Sequence, residues 1–182
     1  VSVTAITASL PERGRLFADL AESMARQSLP PARWLVEWDY AKRGPVEVLN
    51  KLASHVETDW LFRVDDDDVL ERDHFDTCRP YLQDADVVYS WCRVEGGGYP
   101  TMYQREFSAN NVQRENNIPS CAFIRTELWN HLGGLREPEW TRHEDWDFWL
   151  RALKAGARFR CVPIVTWRYR IDESWDHRSI LT

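Results

Sequence analysis

Four consecutive carboxylates, Asp65-Asp66-Asp67-Asp68, follow directly on the largely apolar stretch at residues 59–64 (DWLFRV). Adjacent like charges repel, and a chain with no use for them rarely sets them at the end of a buried strand. A divalent cation resolves the conflict. Mg²⁺ and Mn²⁺ are hard ions that take oxygen ligands, often one or two carboxylates plus the phosphate oxygens of a substrate. Alternate residues of an extended chain share a side, so Asp65 and Asp67 are the pair expected to face such an ion, with Asp68 turned to brace the loop. The plainer alternative is a solvated acidic turn that caps the next helix. An EF-hand is disfavoured, because neither its D-x-D-x-D-G order nor its closing Glu is present.

Residues 142–147 (RHEDWD) form a second constellation at the expected start of a helix. The helix dipole favours carboxylates there, which is reason enough for their presence as simple capping. The same position holds an acid ionised, as a general base must be to accept a proton from a hydroxyl. Near the end of the chain, Arg168, Arg170, His177 and Arg178 are candidates for contacting a diphosphate. His177 is also a candidate metal ligand, although a lone His near a terminus is more often simply exposed.

The elements that must position these groups follow from hydropathy. Residues 1–8 are apolar and β-branched and read as a buried strand. Phe17, Leu20, Ala21 and Met24 recur at helical spacing until Pro30-Pro31 ends the pattern. Residues 33–39 read as a second strand, and Leu49, Leu52, Ala53 and Val56 mark the buried face of a second helix. Residues 59–64 are the third strand, with the segment VLERDHF after the carboxylates opening a helix. Strand-helix repeats of this kind predict an α/β chain with a parallel, doubly wound sheet, in which ligands bind at the carboxyl ends of the strands. The acidic run falls at such an end.

Beyond this point, residues 86–91 and 118–124 read as strands, residues 110–117 as a polar loop, and Gly96-Gly97-Gly98 as a break in a β-ribbon. A short helix runs into Gly133-Gly134. Trp146, Trp149, Leu150 and Leu153 line one face of a helix over residues 144–155, and FRCVPIVTWRYR is expected to form a final strand pair.

Composition sets outer bounds. The chain has 182 residues, 43% of them apolar and 29% charged, which suits one globular domain with a core of its own. No stretch approaches the 18 apolar residues of a membrane span. A net charge of -6 without a Lys/Arg run disfavours nucleic acid and anionic membrane surfaces as partners. Cys78, Cys92, Cys121 and Cys161 are widely separated and read as reduced core residues, which, with no signal peptide visible in a sequence that begins at Val1, points to the cytoplasm. Ten tryptophans are many for this length; most are expected in the core, and a few as flat surfaces on which a sugar ring or base stacks.

These residues carry a resemblance over nearly the whole chain. TASLPERGRL, the segment at residues 44–50, LFRVDDDD, IPSCAFIRTELWNHLGGL, HEDWDFWLRALKAG and WRYR, in this order, resemble family-two-type glycosyltransferases of the GT-A fold. The D-x-D element alone is weakly specific, whereas its order with the downstream G-G-L and E-D-W-D-F-W-L-R is strongly specific. The resemblance implies a mostly parallel central sheet with helices on both faces. It also implies a Rossmann-like nucleotide-sugar half (residues 1–91) joined to a smaller acceptor and catalytic-base half (residues 92–182) in a single domain.

By the same resemblance, Asp65 and Asp67 hold Mn²⁺ or Mg²⁺ on the diphosphate of a nucleotide-sugar donor, a UDP- or GDP-sugar first among them. Asp145 takes the place of the catalytic base, Asp39 falls where members bind the nucleoside, and Arg13 and Asn50 lie in segments that line the nucleotide pocket. Members usually carry an acidic-Gly-Ser run after the second strand, where this chain reads Trp38-Asp39-Tyr40-Ala41-Lys42. The implied reaction is metal-dependent, inverting transfer of a sugar to a hydroxyl acceptor on a glycan, a lipid-linked sugar or a protein. A nucleotidyltransferase with a similar acidic metal site and a non-catalytic sugar- or nucleotide-binding module are the alternatives.

Overall fold

The computed structural model describes residues 1–96, 104, 106–141 and 143–171. In chain order the elements are β1 (Val3–Ser9), α1 (Gly14–Ala25), β2 (Arg33–Trp38), α2 (Pro45–Ala53), β3 (Trp60–Arg63), β4 (Val69–Leu70), α3 (His74–Cys78), β5 (Val87–Glu95), α4 (Ala109–Val112), β6 (Ala122–Arg125), α5 (Thr126–Leu132), α6 (Glu144–Lys154) and β7 (Phe159–Arg170). The strands make one sheet in the order β2-β1-β3-β6-β5-β7-β4. β1 runs parallel to both β2 and β3, and β5 parallel to β7, while β6 and β4 are antiparallel to their neighbours. Five of the seven described strands therefore point the same way. Helices cover both faces, so the expected GT-A-type architecture, a mostly parallel sheet sandwiched by helices, is what the chain adopts.

The period-two alternation of strand side chains sorts the core into two layers. Ile6, Leu61, Val87, Tyr89, Ala122 and Ile124 face one side, where they pack with Val48, Leu49 and Leu52 of α2 and Phe148 and Trp149 of α6. Ala5, Trp60, Phe62, Val88 and Phe123 face the other and meet Leu20 and Met24 of α1 and Phe75 of α3. Both faces being buried, β3 and β6 read as continuous apolar runs, whose hydropathy gives no sign of direction. Nothing local marks β6 as reversed, and it inserts antiparallel between β3 and β5.

Three local expectations give way to tertiary pairing. Val69-Leu70 do not begin a helix; they form β4, the sheet's edge, opposite Arg168 and Trp167, and α3 starts only at His74. The reason is burial: Val69 and Leu70 are almost wholly buried, and Trp167 beneath them completely so. FRCVPIVTWRYR is one strand, β7, whose register against β5 slips between Ser90 and Cys92. Pro163 lies in that slip, where the N–H it lacks is not asked for by a regular ladder. The stretch over residues 110–117 is not all loop: its start belongs to the short α4 (Ala109–Val112), capped by the Ser108 hydroxyl. The division at residue 91 falls inside β5, and the sheet is continuous across it. Of the earlier expectations, Gly97, Gly98, Arg142, His177 and Arg178 lie outside the described residues.

The junction of Gly133 and Gly134, after α5, is tied to α2 within one of the two layers. Both have positive φ, +72° and +74°, the left-handed region that glycine enters without steric cost. A Cβ at Gly134 would stand 2.3 Å from Asn50 Oδ1, while one at Gly133 meets nothing within 4 Å. Asn50 cannot easily yield, because its Nδ2 donates to the Leu135 carbonyl (2.8 Å) and its Oδ1 accepts from the Leu135 amide (2.9 Å). Gly133→Ala should therefore cost about 1–2 kcal/mol, the left-handed penalty alone. Gly134→Ala should cost more than Gly133→Ala, up to about twice as much, as both Asn50 hydrogen bonds are disturbed. Thermal melts of the two variants check this; equal melting temperatures would refute the bracing role of Asn50.

Candidate active site

The carboxylates lie where β3 ends, beside the carboxyl ends of β1 and β2, and each has a different environment. Asp66 accepts a hydrogen bond from the Ser9 hydroxyl at the end of β1 (2.7 Å) and an ion pair from Arg13 (2.9 Å). Asp67 is paired with the same guanidinium at 2.5 Å. Arg13 comes from the 3₁₀ turn that Pro11 opens, so one cation is shared by two buried carboxylates. Asp65 is the more exposed member; it accepts from the Ser120 hydroxyl (2.7 Å) and stands 3.4 Å from Arg63 Nε. Asp68 is buried, and among the described residues neither of its side-chain oxygens has a hydrogen-bond partner.

One arginine does not balance this much charge. Burial, then the Asp65 charge, pushes the Asp67 carboxyl up to about 6 despite Arg13. Burial likewise raises Asp66, and burial with the charges of Asp67 and Asp65 raises Asp68 well above the ordinary carboxylate range. Oxygen donors crowded together and still short of positive charge are the donor set a hard divalent cation prefers, so Asp65 and Asp67 fit a metal. Among the described residues no three His, Cys, Asp or Glu side chains are grouped to enclose an ion unaided. Arg170, on β7, donates through Nε to the Asp67 carbonyl and through Nη2 to the Leu16 carbonyl (3.0 Å), pinning the carboxylate loop from behind. Arg168 instead pairs with Glu95 (3.2 Å) and Glu71 (3.5 Å).

The second constellation reaches the first through a residue the sequence reading passed over. Arg63, at the end of β3, has a side chain only 5% exposed; besides Asp65 it pairs with Glu144, the first residue of α6, at 2.7 Å. Strand alternation puts it on the same side as Leu61, the side covered by α6. Its signal was there: a charged residue inside an otherwise apolar strand demands a partner. The next residue of α6 is Asp145. Both of its oxygens face Asn116 Nδ2 (3.1 and 3.2 Å), and Oδ1 accepts the Trp146 amide at 2.7 Å. Burial and the neighbouring Glu144 raise the Asp145 carboxyl, while Arg63, Asn116 and the Trp146 amide act against them. Asn116 sits in a polar loop and carried no sequence signal of its role.

Asp147, fourth in α6, takes no part; it is buried between Arg136 (2.8 Å) and Arg151 (2.7 Å), and Arg151 also ties down the carbonyls of Leu132 and Gly134. Asp39 opens the loop after β2, with Oδ2 accepting the Gly44 amide (2.9 Å) and Oδ1 facing Arg43 Nε (3.4 Å). The backbone amide of Arg43, that of Gly44 and the Arg43 guanidinium hold it below the usual carboxylate range. Asp39 is thus ionised and near the ends of β1 and β2, whereas the Asn50 amide is engaged by Leu135, which follows α5. The fold sets two ion-pair groups side by side, Arg13 with Asp66 and Asp67, and Arg63 with Asp65 and Glu144, the residue that precedes Asp145. A separate open cavity of about 580 Å³, lined by Asp59, Arg125, Glu127 and His131 among others, lies at the opposite end of β3.

An α/β sheet with a crowded acidic site at its carboxyl ends and further carboxylates in the first turn of a nearby helix is an arrangement compatible with a transferase. The chain belongs to the family described as glycosyltransferase like family 2, whose profile matches residues 17–179. It is 25% identical to the uncharacterized glycosyltransferase YwdF of Bacillus subtilis (strain 168) over 90% of this chain and 72% of the relative. Among solved structures, it resembles S. aureus TarS residues 1–349, at a TM-score of 0.73 and 15% identity over 93% of this chain and 60% of that one. It also resembles the mannosyltransferase PcManGT of Pyrobaculum calidifontis in complex with GDP-Man and Mn²⁺, at a TM-score of 0.68 and 16% identity over 96% of this chain and 58% of that one. The chain thus spans about 60% of the length of these solved chains. The fold is that of the GT-A glycosyltransferases. Among the described residues no helix is long and apolar enough to cross a membrane.

Proposed function

We propose that this protein transfers a sugar from a nucleoside-diphosphate donor to the hydroxyl of an acceptor, with inversion at the anomeric carbon and a divalent cation, Mn²⁺ or Mg²⁺, held by Asp65 and Asp67. The observation that supports the reading is that Arg63 pairs with both Asp65 of the acidic run and Glu144, the residue before Asp145, so that the two carboxylate groups proposed to hold a cation and to act as base adjoin one another. When bound, the metal neutralises charge on the departing diphosphate. Asp145 takes the proton from the acceptor hydroxyl as its oxygen attacks the anomeric carbon from the face opposite the diphosphate. Asn116 and the Trp146 amide fix the direction of that carboxylate. A base that activates the acceptor directly, with no covalent sugar-enzyme step, inverts the centre.

Asp39 is the candidate for contacting the nucleoside, and Arg13 is placed to meet the diphosphate. His177 stays a proposed additional ligand. TarS has been solved with UDP-GlcNAc and PcManGT with GDP-Man and Mn²⁺, so UDP- and GDP-sugars are the donors proposed first. The cysteines, none of them in a disulfide, support a reducing compartment, and the cytoplasm is the proposed location. The single domain is proposed to divide its work, residues 1–91 binding the donor and residues 92–182 the acceptor side.

The test is thermal unfolding with UDP or GDP, each with Mn²⁺ and again with EDTA, for the wild type and Asp67→Asn. A nucleotide at about 100 times its Kd should add about 2.7 kcal/mol, a shift of roughly 5–10 °C at this chain length, in the presence of metal and of Asp67 only. No shift under any condition would refute donor binding. A shift unaffected by EDTA would refute metal dependence.

A further inference from the structure

Of the ten tryptophans, nine lie among the described residues, and burial sorts them. Trp60, Trp129, Trp149 and Trp167 are core. Trp34 and Trp38 are packed on Phe17, Trp91 is half-buried, and Trp146 is held by the hydrogen bond from its indole N–H to the Val112 carbonyl (2.7 Å). Trp140 alone among them is exposed, at 54%. It is not a stray surface residue. Its ring meets that of Trp146 edge to face, centroids 5.2 Å apart and planes at 68°, and Trp146 is the residue whose backbone amide holds Asp145. A large flat apolar surface open to water is therefore held against the ring of Trp146, the residue after Asp145, and that ring and the Asp145 carboxylate both bond to the segment at residues 112–116, through Val112 and Asn116.

The chemistry that matches both features is a pyranose. One face of such a ring is a sheet of C–H groups that lies well on an indole, while its rim carries hydroxyls. A serine or threonine side chain, or a simple alcohol, offers the hydroxyl without the face. The chain on either side of Trp140 carries Glu139 and Thr141, polar groups suited to that rim. We propose that Trp140 is the platform of the acceptor subsite, stacking a pyranose ring so that one of its hydroxyls reaches Asp145, and hence that the acceptor is a carbohydrate. This rests on the glycosyl-transfer reading above.

The experiment uses the wild-type protein, Trp140→Ala and Trp140→Phe with a UDP- or GDP-sugar and Mn²⁺. The acceptor probes are methyl pyranosides and disaccharides, Ser/Thr peptides, and a plain long-chain alcohol. Hydrolysis of the donor without acceptor is followed in the wild type to establish donor turnover. The expected result is transfer to a pyranoside or disaccharide, an acceptor KM raised at least tenfold in Trp140→Ala with a much smaller change in kcat, and recovery of most of that loss in Trp140→Phe. An unchanged acceptor KM in Trp140→Ala overturns the proposal. So does acceptance of the peptides or the alcohol in place of any sugar. Absence of donor turnover in the wild type, with no nucleotide-dependent thermal shift, overturns the transferase reading and this proposal with it, and is told apart from the first two results by that missing turnover.

Discussion

Asp145→Asn should lower sugar transfer by about 10²- to 10⁴-fold, the range over which a positioned general base contributes, while the metal-dependent thermal shift with nucleotide persists. The amide keeps the size of the carboxylate and removes its ability to accept a proton. Under the proposed mechanism the ionised form is the active one, so transfer should fall as pH drops through the Asp145 pKa. Burial and Glu144 raise that pKa, so the acidic limb of the kcat/KM profile should lie above the ordinary aspartate value of about 4. Transfer by Asp145→Asn at close to the wild-type rate would remove Asp145 from the mechanism. Loss of both transfer and nucleotide binding would instead mark it as structural.

Arg63→Met should destabilise the protein by about 3–5 kcal/mol, because removing one partner of a buried ion pair strands the other without compensation. Arg63 is nearly inaccessible and faces Asp65 and Glu144 at once. Urea unfolding of wild type and variant measures the loss; a difference below about 1 kcal/mol would show that the bridge has no structural weight. If the Met variant does not fold, Arg63→Lys keeps the charge without the fork and should fall between the two. The same guanidinium lowers the Asp145 pKa. In Arg63→Lys, whose single ammonium is less well placed, the acidic limb of the activity profile should move to higher pH, a change that loss of packing alone would not produce.

Two kinds of residue made the site partly legible in advance. Asp65 and Asp67 stood out because four adjacent charges directly after an apolar strand repel one another, a conflict that a divalent cation or a solvated turn would relieve. Asp145 stood out only by its place in the E-D-W-D-F-W-L-R run, since a carboxylate in the first turn of a helix is ordinary capping. Arg13, Asp39 and Asn50 came from resemblance alone, and their partners differ: Arg13 meets the acidic run, Asp39 braces its own loop, and Asn50 clasps Leu135. Ser120 and Asn116 were not visible at all. A hydroxyl or an amide in a polar loop says nothing until the fold brings a carboxylate to it.

The alternation of strands and helices, the faces those helices bury and the end of the sheet where chemistry would sit follow from local hydropathy and turn chemistry, which depend on neighbours within a few residues. The reversal of β6, the edge strand at Val69-Leu70, the single long β7 and the 81-residue link from Arg63 to Glu144 do not. An apolar strand buried on both faces carries no mark of its direction or its neighbour. A buried charge likewise cannot name its partner, which is settled only when packing has removed water from around it and left one carboxylate within reach.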